Sequence, residues 1–396
     1  MKTRILNYVF IAFLAVLMIS CRDQGNGMGN NNTNNPITLD CLYNDDFTLT
    51  NQNLDGIDYI VDCDLEIRDG IFRIEPGTTI EFKEGSSIEV SNDGIFRALG
   101  NSGSPIIMTG TDPGRASWRG IYINSTAGSN QLEHVTIEDA GDGEVFGQFT
   151  SNHAAVTFQG RLSMKNCSII NSGDVGVLSE ENLSASSIDL FENNTISGST
   201  RFPLLVNQDL ISGMDLSSCS FNENGINMVG MHQETNDRLN QFTTLEAIDI
   251  PYFIENGIDL YAPLIIEAGT DIVMGNGSFI NSNTDQNQYL LIQGSQSNHV
   301  TIRGQEAISG FWQGIYITRP NAQNIWEYLD LSDGGSKVQG FNDSPANITL
   351  EENANLTINN CSSARSGGSC DIVLSTFSGT PSLENNSPEI NSVCTE

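Results

Sequence analysis

The phrase SWRGIYI at residues 117–123 returns as FWQGIYI at 311–317, and the repetition runs far beyond seven residues. IEPGTTIEFKEGSSIEV, Ile74 to Val90, is echoed by IEAGTDIVMGNGSFINS, Ile266 to Ser282, at an offset of 192; from Trp118 and Trp312 onward the offset is 194. There Asp139 meets Asp333, Gly141 meets Gly335, Asn166-Cys167-Ser168 meets Asn360-Cys361-Ser362, and Ser172-Gly173 meets Ser366-Gly367. The lead-ins IDYIVDCDLEIRDG and IDIPYFIENGIDLY correspond as well. The folded part is therefore two tandem copies of one long unit, at 37–249 and, shorter at its end, 250–396.

Each copy has a finer grain. Short apolar and β-branched runs such as IFRIEPG, TTIEFKEG, SSIEVSNDG, GIYINS and HVTIEDAG are closed by Gly, Asn, Asp or Ser, as strands and turns are. Ile169, Ile196 and Phe221 hold matching places 27 and then 25 residues apart, a period that means stacked coils. The expectation is an all-β solenoid in which inward Ile, Val, Leu and Phe form ladders while Gly and Asn turn the corners. Trp118 and Trp312 then pack against a turn.

Seventeen Lys and Arg against 49 Asp and Glu leave a net charge of -32. Such a surface repels phosphate backbones, so nucleic acid is excluded as a partner. It also repels acidic polysaccharides unless cations bridge the two.

Residues 1–20 read as a targeting segment, with Lys2 and Arg4 ahead of an apolar run, Tyr8 to Ile19, too short to span a bilayer. It ends in Leu17-Met18-Ile19-Ser20-Cys21, which resembles the lipobox of bacterial lipoproteins and implies cleavage before Cys21 and its acylation. The anchor would make the membrane a partner. Residues 21–36, rich in Gly and Asn, read as a flexible tether. Among the remaining cysteines, Cys41 with Cys63 and Cys370 with Cys394 suit disulfides that staple the two ends of an exported fold, although sequence leaves the pairing open. Cys167, Cys219 and Cys361 sit in like phrases, KNCSIINSG, SSCSFNENG and NNCSSARSG, which suggests one small buried position.

The succession "IEPGT-I-F", "PI-MTG", "W-GIYI", "L-HVTIEDAG", "NCSI-NSG" resembles the right-handed parallel β-helix lipoproteins of bacteria, whose fold is shared with pectate lyases. The resemblance covers about residues 57–395 and implies one elongated rod of some thirteen coils, about 65 Å long at ~4.8 Å per strand. It also implies export to the cell envelope as an outer-membrane lipoprotein.

Activity is less legible. A lyase of this kind uses a basic residue beside carboxylates that hold calcium; here Arg119, His134 and Lys165 are the candidate bases, and Asp139, Asp142 and Glu144 the candidate oxygen ligands for calcium, which is otherwise not required. In the second copy Gln313 replaces Arg119 and Tyr328 replaces His134. Trp312, Tyr316, Trp326 and Tyr328 are candidates for an aromatic face that stacks on sugars. The favoured reading is a non-catalytic protein that binds a glycan or another envelope partner; the alternatives are a polysaccharide lyase or hydrolase with its site on the first copy, and a structural spacer without ligand.

Overall fold

The computed structural model describes residues 35–53, 56–143, 153–180, 186–232, 237–282, 287–340, 342–390 and 392–396. Residues 1–20, read above as a targeting segment, Cys21 and nearly all of the 21–36 stretch read as a tether lie outside the described residues, as does Glu144. Residues 35–396 belong to one compact unit, a right-handed parallel β-helix in which every pairing between named strands is parallel.

Successive coils add one short strand to each of three sheets in turn. Among the described residues the first sheet has eight strands, Ile37–Thr38 to Ser220–Asn222; the second has thirteen, Leu42–Tyr43 to Ser362–Ala364; the third has six, Phe47–Leu49 to Ser187–Glu192. In the later coils a fourth sheet, Arg238–Leu239 to Val393–Thr395, follows the second, and a fifth, Thr243–Leu245 to Ser382–Asn386, follows the fourth. The thirteen strands of the second sheet match the number of coils that the sequence period implies.

The reason for strand and not helix is visible in the register. Tyr59, Ile80, Met108, Ile137, Ile169, Ile196 and Phe221 each pair with the next across the first sheet and are all buried. Every such inward residue rests on its counterpart one coil away, and full burial of each contributes roughly 1.5–3 kcal/mol. Alternate residues of Thr79–Phe82 or Ile71–Ile74 point outward and are only half-buried.

At the corners the backbone enters the left-handed region, and the two copies do so at the same places. His134 and Tyr328 have φ of 49° and 48°, Asp139 and Asp333 of 61° and 71°, Asn166 and Asn360 of 52° and 53°. What is shared at 134 and 328 is a backbone turn, which His adopts in one copy and Tyr in the other. Gly120 and Gly314, at φ 114° and 99°, open the two GIYI strands; a Cβ on either would meet a carbonyl oxygen of the next coil, 2.6 Å from Ala154 or 2.7 Å from Ala346.

Disulfides join Cys41 to Cys63 and Cys370 to Cys394. Cys167, Cys219 and Cys361 are free and buried at equivalent corners. The Cys167 N–H donates to Asn194 Oδ1 at 3.0 Å and the Asn194 N–H to Cys219 Sγ at 3.4 Å, so cysteine and asparagine alternate in one small internal ladder. Burial pushes the Cys167 thiol up to about 12, which leaves it unreactive at neutral pH.

The copies do not enter the column in phase. Thr79–Phe82, Ile106–Gly110, Val135–Glu138 and Ser168–Ile170 belong to the first sheet, but their counterparts Asp271–Met274, Val300–Gly304, Leu329–Ser332 and Ser362–Ala364 belong to the second. Likewise Gly120–Ile123 lies in the second sheet and Ile315–Ile317 in the fourth. The coil lengths repeat almost unchanged, with strands starting at 59, 79, 106, 135 and 168 in one copy and at 252, 271, 300, 329 and 362 in the other. The slip arises at the junction, where the 3-10 helices Gln208–Gly213 and Leu216–Ser218 occupy the stretch between Leu204–Asn207 of the second sheet and Ser220–Asn222 of the first. The Asn207 side chain accepts the Asp209 N–H and that of Asp215 the Ser218 N–H, so each helix is started by a polar cap.

Candidate functional site

The three candidate bases of the first copy do not converge. Arg119 stands where the first sheet turns into the second, with Nη1 3.3 Å from Asp64 Oδ1, which also accepts the Ser87 hydroxyl at 2.6 Å. His134 and Lys165 stand at the opposite end of the first-sheet strands, where the His134 N–H donates to the Lys165 carbonyl at 3.1 Å. His134 Nε2 lies 3.3 Å from Asn166 Nδ2, and Lys165 Nζ pairs with Glu192 at 2.7 Å. That bond to Glu192 raises the lysine further, so it stays protonated and offers no base at neutral pH.

Arg119 does border a broad, shallow depression with Glu84, Asp142 and His153. Asp142 is fixed by its N–H to the Trp118 carbonyl at 2.9 Å, while the Asp139 carbonyl accepts the Ser117 N–H at 2.7 Å. Among the described residues no three His, Cys, Asp or Glu side chains are gathered as metal ligands.

The aromatic face requires correction. Trp312 and Trp326 are 0% exposed, as is Trp118. Their indole N–H groups donate to the backbone, Trp118 to Glu138 at 2.9 Å, Trp312 to Ser332 at 2.8 Å and Trp326 to Leu290 at 3.0 Å. Inward places of a dry column take these rings, and none is open to a sugar. Tyr316 is half-buried with its hydroxyl donated to Glu351, and the half-buried Tyr328 lies against His299 at 5.5 Å between ring centroids.

One hollow among the described residues was missed by sequence reasoning. It lies at the junction of the copies, walled by Ile211, Met214 and Tyr252, with Ser212, Thr244 and Glu246 at its polar edge and Phe242 beside them. Phe242 is 53% exposed, which is unusual for a ring in a column whose other large aromatics are mostly interior. A second hollow adjoins it across Ser212, formed by Ile188, Gly213, Gln241 and Asp209. Asp209 Oδ1 accepts the N–H groups of Asn240 at 2.7 Å and Gln241 at 3.2 Å, which fixes the segment leading to Phe242. Neither hollow is lined by Lys or Arg. The only sequence signal was negative: residues 208–218 lack the alternation of their neighbours, and there a strand gives way to short helix.

No family model, no curated protein and no solved structure matches this chain. Its own geometry must carry the functional reading.

Proposed function

We propose that this chain is an exported, lipid-anchored β-helix protein of the bacterial outer membrane that binds an uncharged glycan without chemically altering it. The observation that carries this reading is the junction groove, where the exposed Phe242 ring stands beside Ser212, Thr244 and Glu246. A sugar presents an apolar C–H face and a rim of hydroxyls, and a ring flanked by hydroxyl and carboxylate groups is complementary to both. The absence of Lys and Arg from the lining, with a net charge of -32, favours a ligand that carries no anionic groups. Separation of Arg119 from His134 and Lys165 supports the non-catalytic reading. The lipobox-like run ending in Cys21, and the phrase pattern similar to β-helix lipoproteins of the pectate-lyase-like fold, support the anchor and the location.

The test is a glycan array and titration with the full chain. Binding to uncharged glycans is expected, weakened at least about tenfold by Phe242→Ala, the loss of one stacking ring. A blank array overturns the binding reading and leaves the spacer, and binding indifferent to that substitution overturns the proposed site. Release of unsaturated sugars from pectin, alginate or chondroitin, abolished in Arg119→Ala, would overturn the non-catalytic reading.

A further inference from the structure

The outward side of the second sheet carries a row that the sequence did not single out. Glu66 pairs in register with Glu89, Glu89 with Tyr122, and Tyr122 with Thr157. The second copy has the same row on the fourth sheet, where Asp259 pairs with Asn281, Asn281 with Tyr316, and Tyr316 with Thr349. In both rows the tyrosine hydroxyl bonds a carboxylate at a strand end, Glu180 at 3.0 Å in one and Glu351 in the other.

The first row is largely withdrawn from solvent although it points away from the core, while in the second Asp259, Asn281 and Tyr316 are half-buried. Tyr122, Thr157 and Thr349 are 0% exposed and Glu89 is 6% exposed. Both also leave oxygens without a hydrogen-bond partner at the same two rungs, Glu89 Oε2 and Asn281 Oδ1 at one, Thr157 Oγ1 and Thr349 Oγ1 at the other. The rows differ in one respect that matters for charge. Where the first copy has Glu89, the second has Asn281, an amide that is neutral at every pH and donates from Nδ2 to Asp259 at 3.0 Å. The counterpart of Asp259 is Glu66, so a carboxylic acid at 89 would stand toward Glu66 as the amide stands toward Asp259.

We propose that Glu89 is a proton-operated latch: as a neutral acid it closes the outer row of the first copy as Asn281 closes that of the second, and on ionisation it loosens that row. The groups that face it are Asp64, Glu66 and Arg68 from the preceding coil, and Arg119 and Tyr122 from the following one, with Glu180 beyond the tyrosine. The two cations are already engaged, Arg68 with Glu66 and Arg119 with Asp64 at 3.3 Å. An ionised Glu89 therefore adds a third carboxylate where two are balanced, in a place with little water. Burial first, then Glu66 and Asp64, against Arg68, push the Glu89 carboxyl up to about 7. A carboxyl raised in the fold holds its proton there after the unfolded chain has lost its own. Stability from this group is thus greatest at low pH, falls between the ordinary 4.5 and about 7, and is level above.

The test is hydrogen exchange of the full chain from pH 5 to 9, corrected for intrinsic rates. Peptides spanning 87–90 and 120–123 should lose protection as pH rises from 5 to about 7 and hold level above, by up to about 80-fold in the opening equilibrium, while 280–282 and 315–317 stay level. Glu89→Gln, neutral throughout, should remove the pH dependence and keep the low-pH protection. If that variant folds poorly, the wild-type infrared spectrum decides, because a protonated carboxyl band should persist at pH 6 and vanish by pH 9. Level protection in the wild type, an unchanged pH dependence in Glu89→Gln, or no such band overturns the proposal.

Discussion

Replacing Trp118 by alanine asks whether the repeated WxGIYI phrase is part of the column or a surface for ligands. Its ring is 0% exposed and stacks on Phe82 with centroids 3.9 Å apart and planes 13° from parallel. Removing a buried indole leaves a cavity that costs about 3–5 kcal/mol. Leaving the Glu138 carbonyl without its donor adds about 1 kcal/mol, and the lost stacking roughly 1 kcal/mol more. Trp118→Ala is therefore expected to destabilise by about 5–7 kcal/mol, and Trp118→Phe, which keeps a ring but no donor, by about 2 kcal/mol. Urea unfolding followed by circular dichroism gives the totals. Hydrogen exchange of 79–82 and 135–138 then localises the loss, because a solenoid can open coil by coil. All three tryptophans are interior, so native emission should be blue-shifted and resist quenching by iodide. A cost below about 1 kcal/mol for Trp118→Ala, or emission that iodide quenches readily, would refute the interior placement.

Two further substitutions probe the corners. Gly314→Ala forces a side chain into φ +99° and to 2.7 Å from the Ala346 carbonyl oxygen, and should cost about 2–3 kcal/mol in urea unfolding. Gly277→Ala, at φ +71° with nothing within 4 Å of the added carbon, should cost only about 1 kcal/mol; equal costs would show that the close approach of coils is misjudged. At Asp333, burial works to raise the carboxyl, but bonds from Arg365, Ser332 and the Gly304 N–H outweigh it and hold it below its ordinary 3.8. That stabilisation is complete above 3.8 and is lost as pH falls through the lower folded value, so Arg365→Ala should cost about 1–2 kcal/mol at pH 7 and shift acid unfolding to higher pH. An acid midpoint unmoved by the substitution would count against the pair.

The column was legible because its information is periodic. Each inward residue from Tyr59 to Phe221 repeats the demand of the one before, and a corner such as Asn166 or Asn360 announces itself through a residue that tolerates the left-handed region. The two disulfides join the cysteines that suited stapled ends, a pairing that sequence had left open. The candidate site was not legible, for the opposite reason. Packing of Trp118 and Trp312 was expected and is found, but the alternative of an aromatic face through residues 312 and 326 stood open while the direction of their side chains was unknown; one step of register decides whether a strand residue faces core or solvent. The groove beside Phe242 exists because a strand is missing, and a gap in a pattern does not name the side chains that will line it. The row through Glu89 was not legible either, since Glu66, Glu89 and Tyr122 become neighbours only through pairing of separate coils.

The one-sheet slip between copies has a consequence for valency. Had the duplication spanned a whole number of coils, the two GIYI strands would share a single flank, and one straight polymer or flat wall could grip both at once. As built, Gly120–Ile123 and Ile315–Ile317 belong to different sheets and present themselves to different directions. Avidity requires simultaneous engagement, so doubling this unit lengthened the molecule without creating a two-handed grip for any rigid ligand.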